Sequence, residues 1–218
     1  MNSLERSVIF ADLSGFTAMT ETHGDVDAVA IAFRFKALAE AALVHSAHIV
    51  KTIGDAVMIV APDPVAAAQV VMRLARSVHS EPYFPIVRIG MHHGPVIESN
   101  GDYFGAAVNL AARVARHARA GQVLCTSNVA DILRTELGLE LRDAGLARLK
   151  NISVPVQLFE LCLAAGQREA NIDPVCRMQV TDVNAASRIV HDAVPYYFCS
   201  AQCVEIFLNS PEKYVFHK

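Results

Sequence analysis

The order in which strand and helix patterns follow one another most restricts what this chain can fold into. A short run with β-branched and other apolar residues at its centre lies at 6–12. Two further apolar runs, 48–53 and 56–61, flank Gly54 and Asp55 as in a tight hairpin. Helical patterns lie between these strands and the later ones. Helices mixed with hairpins in this way predict a largely antiparallel sheet with helices packed on one face, which is an α+β domain.

Two segments have clear helical patterns. From Asp25 onward, apolar residues recur at helical spacing and predict one buried face, made of Val26, Ala30, Phe33, Ala37, Ala41 and Val44. A second helix fits 64–80, with Asp63 as its N-cap and Pro64 at its first position. Further along, we predict a strand over 86–93 that turns back at Gly94-Pro95 into 96–98, a helix over 105–118, a strand over 122–126, a short helix over 127–135 and a strand over 154–163.

Length and composition indicate one medium-sized domain and a small one. The chain has 218 residues, of which 53% are hydrophobic and 19% are charged, so it has enough apolar material to fold. We predict a first domain over 1–163, a linker over 164–172 and a second domain over 173–218. The second domain is too short to build a secure core without a staple such as a metal ion.

Charge and cysteine usage indicate a cytoplasmic protein. No apolar stretch approaches the roughly 18–20 residues that cross a bilayer, and charged Glu5 and Arg6 stand where a secretory signal would begin its apolar region. A formal net charge of −3 gives no reason to expect a nucleic-acid or membrane partner. Three of the five cysteines lie near the end of the chain, which in a reducing compartment indicates metal binding or redox chemistry.

Two carboxylates follow apolar strands. Asp12 ends the first strand and Asp55 lies in the hairpin turn, so a sheet end could present both to one cleft, where they would suit Mg²⁺ or Mn²⁺ held together with substrate phosphates. After Asp12 comes a glycine-containing turn into helical sequence, whose free backbone N–H groups could cradle a triphosphate. An isolated Asp at a strand end is more often only a turn or cap residue.

Four blocks of sequence carry these and other polar residues: FADLSGFT at 10–17, KTIGDAVM at 51–58, RIGMHHGPV at 88–96 and DYFGAAVNLAARV at 102–114. In this order they resemble the catalytic domain of the class III nucleotidyl cyclases, the adenylyl and guanylyl cyclase family. The later segments GQVLCTS and LKNISVPVQLFEL fit the same family. The resemblance covers about residues 8–161 and implies a ferredoxin-like α+β fold.

The resemblance implies a two-metal reaction on ATP. Asp12 and Asp55, with the backbone carbonyl of Leu13, would hold two Mg²⁺ or Mn²⁺ ions per site. Asn109 would orient the ribose, and Arg113, one helical turn later, would stabilise charge on the transferring phosphate. In the family the metal-binding Asp pair comes from one subunit, and these two residues and the pair that reads the base come from the other, so the resemblance implies a head-to-tail homodimer.

Base selection and phosphate binding are assigned in the same way. Lys51 and Asp102 match the pair that reads the base: a Lys donor and an Asp acceptor complement adenine and not guanine, so the resemblance implies ATP as substrate. Further substrate contacts fall on the loop of Ser14, Gly15, Phe16 and Thr17. Many family members place a basic residue shortly after a Leu-Lys-Gly-like turn, which here reads Leu149-Lys150-Asn151. No such residue is evident in this chain, because Lys150 is followed by Asn-Ile-Ser. For His92 and His93 we expect a structural role.

The tail resembles the YHS, or TRASH-like, metal-binding module. The resemblance lies in DPVCRM at 173–178, YYFCS at 196–200 with Cys203, and NSPEKY at 209–214, with Arg177 where the family usually has Gly. Cys176, Cys199 and Cys203 are candidate ligands for Zn²⁺ or Cu⁺, with the fourth position left to His191, His217, water or a partner. Buried, reduced cysteines without a metal are the alternative.

These observations lead to one function and one alternative. The chain is expected to be an adenylate cyclase that converts ATP to 3′,5′-cyclic AMP and pyrophosphate at a homodimer interface, with regulation by metal binding to the tail. The alternative is a metal-sensing or nucleotide-binding regulatory protein with a catalytically silent cyclase-like domain.

Overall fold

The computed structural model describes residues 3–44, 46–163, 171–181 and 183–215. The first domain contains eight strands and five helices within this part of the chain. They are β1 (Ser3–Leu13), α1 (Phe16–His23), α2 (Asp25–Ala42), β2 (His48–Ile53), β3 (Ala56–Ala61), α3 (Pro64–Ser80), β4 (Val87–Ser99), β5 (Asp102–Phe104), α4 (Ala106–His117), β6 (Val123–Thr126), α5 (Ser127–Leu137), β7 (Leu141–Ala147) and β8 (Val156–Leu161).

The sheet has the strand order β2-β3-β1-β4-β6-β8-β7, with β5 paired to β4 at the side. All of its pairings are antiparallel except that of β4 with β6. This arrangement confirms the α+β class. Strands β5 and β7 are additions that the sequence patterns did not predict.

Helices cover both faces of the sheet, so the prediction of helices on one face was wrong. On β1, Ile9 packs in a core with α2, α3 and α5, whereas the adjacent Val8 points to the opposite face and packs with α4. Helix α4 reaches the sheet at Gly90 of β4. A Cβ atom on Gly90 would lie 2.1 Å from the backbone nitrogen of Ala115, so only glycine permits this close approach.

Helix α2 buries the face opposite to the predicted one. Phe35, Leu38, Ala39 and Ala42 are buried, whereas Val26 and Phe33 are 84% and 69% exposed. The reason is that apolar residues occur on both sides of this helix, so spacing alone does not select the face that meets the sheet. Helix α3, in contrast, begins as predicted: the Asp63 carboxylate accepts a hydrogen bond of 2.8 Å from the Ala66 N–H.

Strand β4 runs straight through Gly94-Pro95, where a turn had been predicted. Both residues pair with β1, Gly94 opposite Arg6 and Pro95 opposite Glu5. The chain reverses instead at Asn100-Gly101, two residues with φ of 52° and 75°, and returns as β5. An Asn-Gly pair favours this kind of two-residue hairpin turn, because both of its residues tolerate positive φ.

The second domain consists of short elements packed onto helices α1 and α2. It contains β9 (Asn171–Ile172), β10 (Gln179–Val180), β11 (Ser187–His191), β12 (Val194–Phe198), α6 (Ala201–Asn209) and a 3₁₀ turn (Pro211–Lys213). Its core residues Cys176, Phe198 and Phe207 form one cluster with Met19 of α1 and Ala28 of α2. The two domains therefore share a hydrophobic core.

Backbone contacts also join the domains. The buried Gln179 donates from its backbone N–H to the Phe84 carbonyl at 3.0 Å and from its side chain to the Val78 and Phe84 carbonyls. Of the predicted linker, residues 164–170 lie outside the described residues, and 171–172 form β9. Among the helices that the structure describes, none combines the length and the apolar character needed to cross a membrane.

Candidate active site

The two candidate metal carboxylates lie together at one end of the sheet. Asp12 is opposite Ala56 in the β1–β3 register, and the Leu13 N–H donates to the Asp55 carbonyl at 3.3 Å, which holds the β2–β3 turn beside the end of β1. Burial, followed by the negative charge of Asp12, raises the pKa of Asp55. Two carboxylates that repel each other in a partly buried site are suited to sharing a cation.

Arg88 is a residue of this site that the sequence analysis did not single out. It lies opposite Asp12 in the β1–β4 register, and its guanidinium donates two hydrogen bonds to one Asp12 oxygen, at 2.7 Å from Nε and by a second contact from its terminal nitrogen. The pairing places a cation next to the carboxylates, where phosphate oxygens could also reach it. A cross-strand partner cannot be identified before the strand register is known.

The loop after Asp12 leads into helix α1. Gly15 is the N-cap residue, and its φ of 83° is in the left-handed region that favours glycine. The Ser14 N–H donates to the Ile86 carbonyl at 2.7 Å and is not free for a phosphate, contrary to the expectation for this group. The N–H groups of Phe16 and Thr17 belong to the first helical turn, which has no intrahelical acceptors.

Lys51 and Asp102 form an ion pair. The Lys51 ammonium lies 2.5 Å from an Asp102 carboxylate oxygen, and this hydrogen bond lowers the pKa of Asp102. Strands β2 and β5 bring the two residues together although they are 51 positions apart. The side chains predicted to read the base are therefore adjacent, with a donor and an acceptor next to each other.

A cleft of about 610 Å³ brings most of these groups together. Its lining residues come from β1, the loop after it, the β2–β3 hairpin, β4 and α4, and they are Phe10, Asp12, Leu13, Gly15, Phe16, Thr17, Lys51, Ile53, Asp55, Ala56, Met58, Arg88, Val108, Ala112, Ala115 and Arg116.

Asn109 and Arg113 are not among the residues that line the cleft. Helix α4 turns a different side, with Ala112 and Arg116, toward the carboxylates. Asn109 is exposed and Arg113 is partly exposed, and the side chains of both have no hydrogen bond or ion pair with any described residue. One chain thus separates Asp12 and Asp55 from Asn109 and Arg113. Lys51 lines the cleft with the two carboxylates, although the resemblance assigns it to the same side as Asn109 and Arg113.

His92 and His93 occupy structural positions. The His92 Nδ1 atom lies 2.8 Å from the Thr126 hydroxyl, and the His93 Nδ1 atom lies 3.0 Å from the Ser7 hydroxyl. Burial lowers the pKa of His92 to about 4, with the neighbouring His93 as a smaller cause. Both rings are held between strands and lie outside the cleft.

The three tail cysteines converge on one point. The Sγ atoms of Cys176 and Cys199 are 3.4 Å apart, and those of Cys199 and Cys203 are 3.7 Å apart. Hydrogen bonds from the other two thiols lower the pKa of Cys203. His191, a predicted fourth ligand, instead faces Asp192 and packs edge-on against Phe207, and His217 lies outside the described residues.

An imidazole that the sequence analysis missed completes this cluster. The Nε2 atom of His23, at the end of α1, lies 3.6 Å from the Cys199 sulfur and 3.8 Å from the Cys203 sulfur. The ligand atoms of His23 and the three cysteines all lie within 4.8 Å of one another. No spacing in the sequence connects His23 to cysteines more than 150 residues later, so only the packing of the two domains reveals it.

Relatives of the chain are found among bacterial cyclases. It is 38% identical over 162 residues to a pH-sensitive adenylate cyclase of Mycobacterium tuberculosis, and 32% identical over 164 residues to an adenylate cyclase of Glutamicibacter nicotianae. These alignments cover 71% and 75% of this chain and 40% of each relative. The chain thus matches less than half the length of these curated relatives.

Solved structures share the fold. The adenylyl cyclase CyaB of P. aeruginosa aligns with a TM-score of 0.64 at 18% identity, over 77% of this chain and 98% of that one. An adenylate cyclase of Trypanosoma brucei aligns with a TM-score of 0.64 at 24% identity, over 76% and 91% of the two chains.

Family models match both parts of the chain. The model for the adenylate and guanylate cyclase catalytic domain matches residues 3–159, and the model for the YHS domain matches residues 171–218. The chain therefore belongs to the class III adenylate and guanylate cyclase family and carries a YHS domain after its catalytic domain.

Proposed function

We propose that this protein is an adenylate cyclase that converts ATP to 3′,5′-cyclic AMP and pyrophosphate at sites shared by two copies of the chain. One observation carries the proposal: the cleft that holds Asp12 and Asp55 does not include Asn109 and Arg113 of the same chain, which lie on another side of helix α4. The relatives that are named adenylate cyclases support the same activity.

The donors in the cleft fit Mg²⁺ or Mn²⁺. Carboxylate and carbonyl oxygens are the ligands that these hard cations prefer, and Asp12, Asp55 and the Leu13 carbonyl supply them. Burial, followed by the negative charge of Asp12, raises the pKa of Asp55, and a bound cation would favour its ionised form. When bound, two such ions would activate the ribose 3′-hydroxyl and neutralise phosphate charge. Arg88 holds Asp12 in place until then.

Lys51 and Asp102 would select the base. Lys51 can donate to an adenine ring nitrogen, and Asp102 can accept from the exocyclic amine, whereas guanine presents the opposite pattern. Their ion pair keeps both groups close before the nucleotide arrives. Because the two side chains are already held together, they lose less conformational freedom when adenine binds.

Asn109 and Arg113 would act on nucleotide held by the partner chain. The ribose 3′-oxygen bonds to the α-phosphorus, the bond from that phosphorus to the pyrophosphate breaks, and the hydroxyl proton leaves to solvent. Arg113 would offset the negative charge that grows on the transferring phosphate, and Asn109 would hold the ribose. A twofold dimer would form two such sites.

The YHS domain would regulate this activity. It packs on α1, and the loop that is proposed to bind the substrate leads directly into that helix. A metal ion that orders this domain would therefore act close to the nucleotide.

The activity is tested with purified protein, Mg²⁺ or Mn²⁺, and either ATP or GTP, scored for cyclic product. We expect cyclic AMP from ATP, little product from GTP, and loss of product in Arg113→Ala. Arg119→Ala changes an exposed arginine just after the same helix, outside the cleft lining, and should lower activity much less. A folded dimer that makes no product from either nucleotide would favour the silent, metal-sensing alternative.

A further inference from the structure

The structure assigns a metal site that spans both domains: we propose that His23 of the cyclase domain and Cys176, Cys199 and Cys203 of the YHS domain bind one Zn²⁺ ion. The site goes beyond the proposed cyclase activity, because its ligands lie outside the catalytic cleft.

The distances between the ligand atoms fit a tetrahedral ion. Zn–S bonds of about 2.3 Å and a Zn–N bond of about 2.0 Å place sulfurs about 3.8 Å apart and each sulfur about 3.5 Å from the nitrogen. The Cys199 sulfur lies 3.4 Å from that of Cys176 and 3.7 Å from that of Cys203. The His23 nitrogen lies 3.6 Å from the Cys199 sulfur and 3.8 Å from the Cys203 sulfur, and all four ligand atoms lie within 4.8 Å of one another. Three thiolates and one imidazole are a common set of ligands for structural zinc.

The cysteines are held in place by other groups. The buried Asp173 carboxylate accepts from the Val175 N–H and the Cys199 N–H, both at 2.8 Å, and thereby fixes the two segments that carry the first two sulfurs. Ser200 caps helix α6 by accepting from the Cys203 N–H at 3.2 Å. Asp173 and Ser200 are thus positioning residues for this site.

His23 is also held by a contact across the domains. The Gln202 side chain, on α6 beside Cys203, donates to the Thr22 carbonyl at 2.8 Å. This bond fixes the end of α1 next to the helix that carries the third cysteine. His23 therefore faces the sulfurs because the two helices are tied together.

The binding test uses the full-length chain in an Asp55→Asn background, so that the cleft carboxylates take up little added metal. Reduced, metal-free protein is titrated with Zn²⁺ against a competing chelator and with Co²⁺, whose absorption reports tetrahedral thiolate ligands. We expect one Zn²⁺ per chain. His23→Gln should weaken binding by at least the roughly 10- to 100-fold that loss of an outer-shell partner costs, and His23→Cys should restore it.

His191→Gln is the matched control and should bind Zn²⁺ as the parent protein does. Equal affinity and identical Co²⁺ spectra in the parent and His23→Gln would overturn the assignment of His23, as would loss of binding in His191→Gln instead. Chelator-treated variants are compared by thermal unfolding, so that a folding defect is not mistaken for a lost ligand. The site would also be refuted if the protein preferred Cu⁺ to Zn²⁺ and bound it equally well in His23→Gln.

Hydrogen exchange provides a readout that is independent of affinity. Zn²⁺ should slow amide exchange in both α1 and α6 of the parent protein, since one ion joins them. In His23→Gln the effect on α1 should disappear. Protection of α6 alone in the parent protein would show that the ion belongs to the YHS domain only and would contradict a site that spans the domains.

Discussion

At the scale of single residues, Asp55 holds an unfavourable negative charge. Its pKa is raised by burial and by Asp12, so the folded protein binds this proton more tightly than the unfolded chain does. The free energy of unfolding should therefore decrease as pH rises from the ordinary Asp pKa through the raised one, because the ionised form is disfavoured only in the folded state. A bound cation would remove this penalty.

Asp55→Asn should stabilise the metal-free protein at neutral pH, where the wild-type carboxylate is charged. The gain should be no more than about 1 kcal/mol, since the group is partly exposed and screened by water. It should shrink as the pH is lowered toward the ordinary Asp pKa. Urea unfolding at several pH values in the presence of a chelator measures it. A gain that stays the same at every pH would contradict the explanation.

Lys51→Glu should change the choice of base. Replacing the donor by an acceptor removes a charge-assisted hydrogen bond to adenine, and the relative rate with ATP over GTP should fall by about 10- to 100-fold. The measurement is the ratio of kcat/KM for ATP to kcat/KM for GTP within one variant. Any loss of folded protein affects both values equally and leaves the ratio unchanged. Lys213→Glu makes the same charge change in the YHS domain and should leave the ratio unchanged. An unchanged ratio in Lys51→Glu would refute the assignment.

At the scale of elements, helix α1 links the cleft to the YHS domain. Its first turn follows Gly15 in the cleft, and its last residue is His23 in the cysteine cluster. Gly15 also lies against Arg177: a Cβ atom on Gly15 would lie 2.3 Å from the Cβ atom of Arg177. Arg177 is the residue that stands where the sequence analysis expected Gly, so this departure places an arginine side chain against the proposed substrate loop.

Gly15→Ala tests this contact. Alanine would meet both the strain of a positive φ and the clash with Arg177, whereas Gly138→Ala, at a φ of 60° with no neighbouring atom within 4 Å, meets the strain alone. The control should lose about 1–2 kcal/mol of stability, and Gly15→Ala should lose more. Adding Arg177→Gly to Gly15→Ala should restore the stability that Gly15→Ala loses beyond the loss in the control. Urea unfolding of the parent protein, Gly15→Ala, Arg177→Gly and the double variant measures the coupling, and strictly additive effects would contradict the contact.

At the scale of the whole molecule, the proposed reaction needs a second chain, because one chain separates the two groups of proposed catalytic residues. Asp12→Ala and Arg113→Ala homodimers should each be nearly inactive. A heterodimer of the two carries both lesions in one site and leaves the other intact, so it should have about half of the wild-type activity. Because random exchange makes about half of the dimers heterodimers, an equal mixture should reach about one quarter.

The control mixture combines Asp12→Ala with Asp55→Ala. Both changes affect the same side of the site, so every site of that heterodimer is damaged and activity should stay near zero. Cyclic AMP formation after subunit exchange is the measurement, with heterodimers counted by differently tagged chains. Heterodimers of Asp12→Ala and Arg113→Ala that remain inactive would show that the site is not shared.

Zinc in the site between the domains should strengthen nucleotide binding. Ordering α1 with the ion removes part of the ordering that the substrate loop would otherwise undergo when ATP binds. Couplings of this kind are typically about 5- to 150-fold in affinity. Equilibrium binding of ATP to Arg113→Ala, with and without Zn²⁺, measures it apart from turnover. The effect should vanish in His23→Gln. Equal ATP affinity with and without Zn²⁺ would show that the metal site does not regulate nucleotide binding.

The sequence by itself determined most of the local elements, the fold class and the family. Strand β1, the hairpin at Gly54-Asp55 and the cap at Asp63 depend on neighbouring residues, and all three are present where the patterns predicted them. The family is recognisable because its polar residues stand in contiguous blocks along the chain. Short-range spacing is sufficient for features of this kind.

Only the tertiary structure decided which faces and partners meet. The buried side of α2, the placement of α4 on the opposite face and the pairing of Arg88 with Asp12 depend on strand register and on competition among packed surfaces. His23 meets the cysteines because α1 packs against α6 across the domains. Contacts between distant segments form only when the chain buries its apolar surface, and no local spacing records that choice.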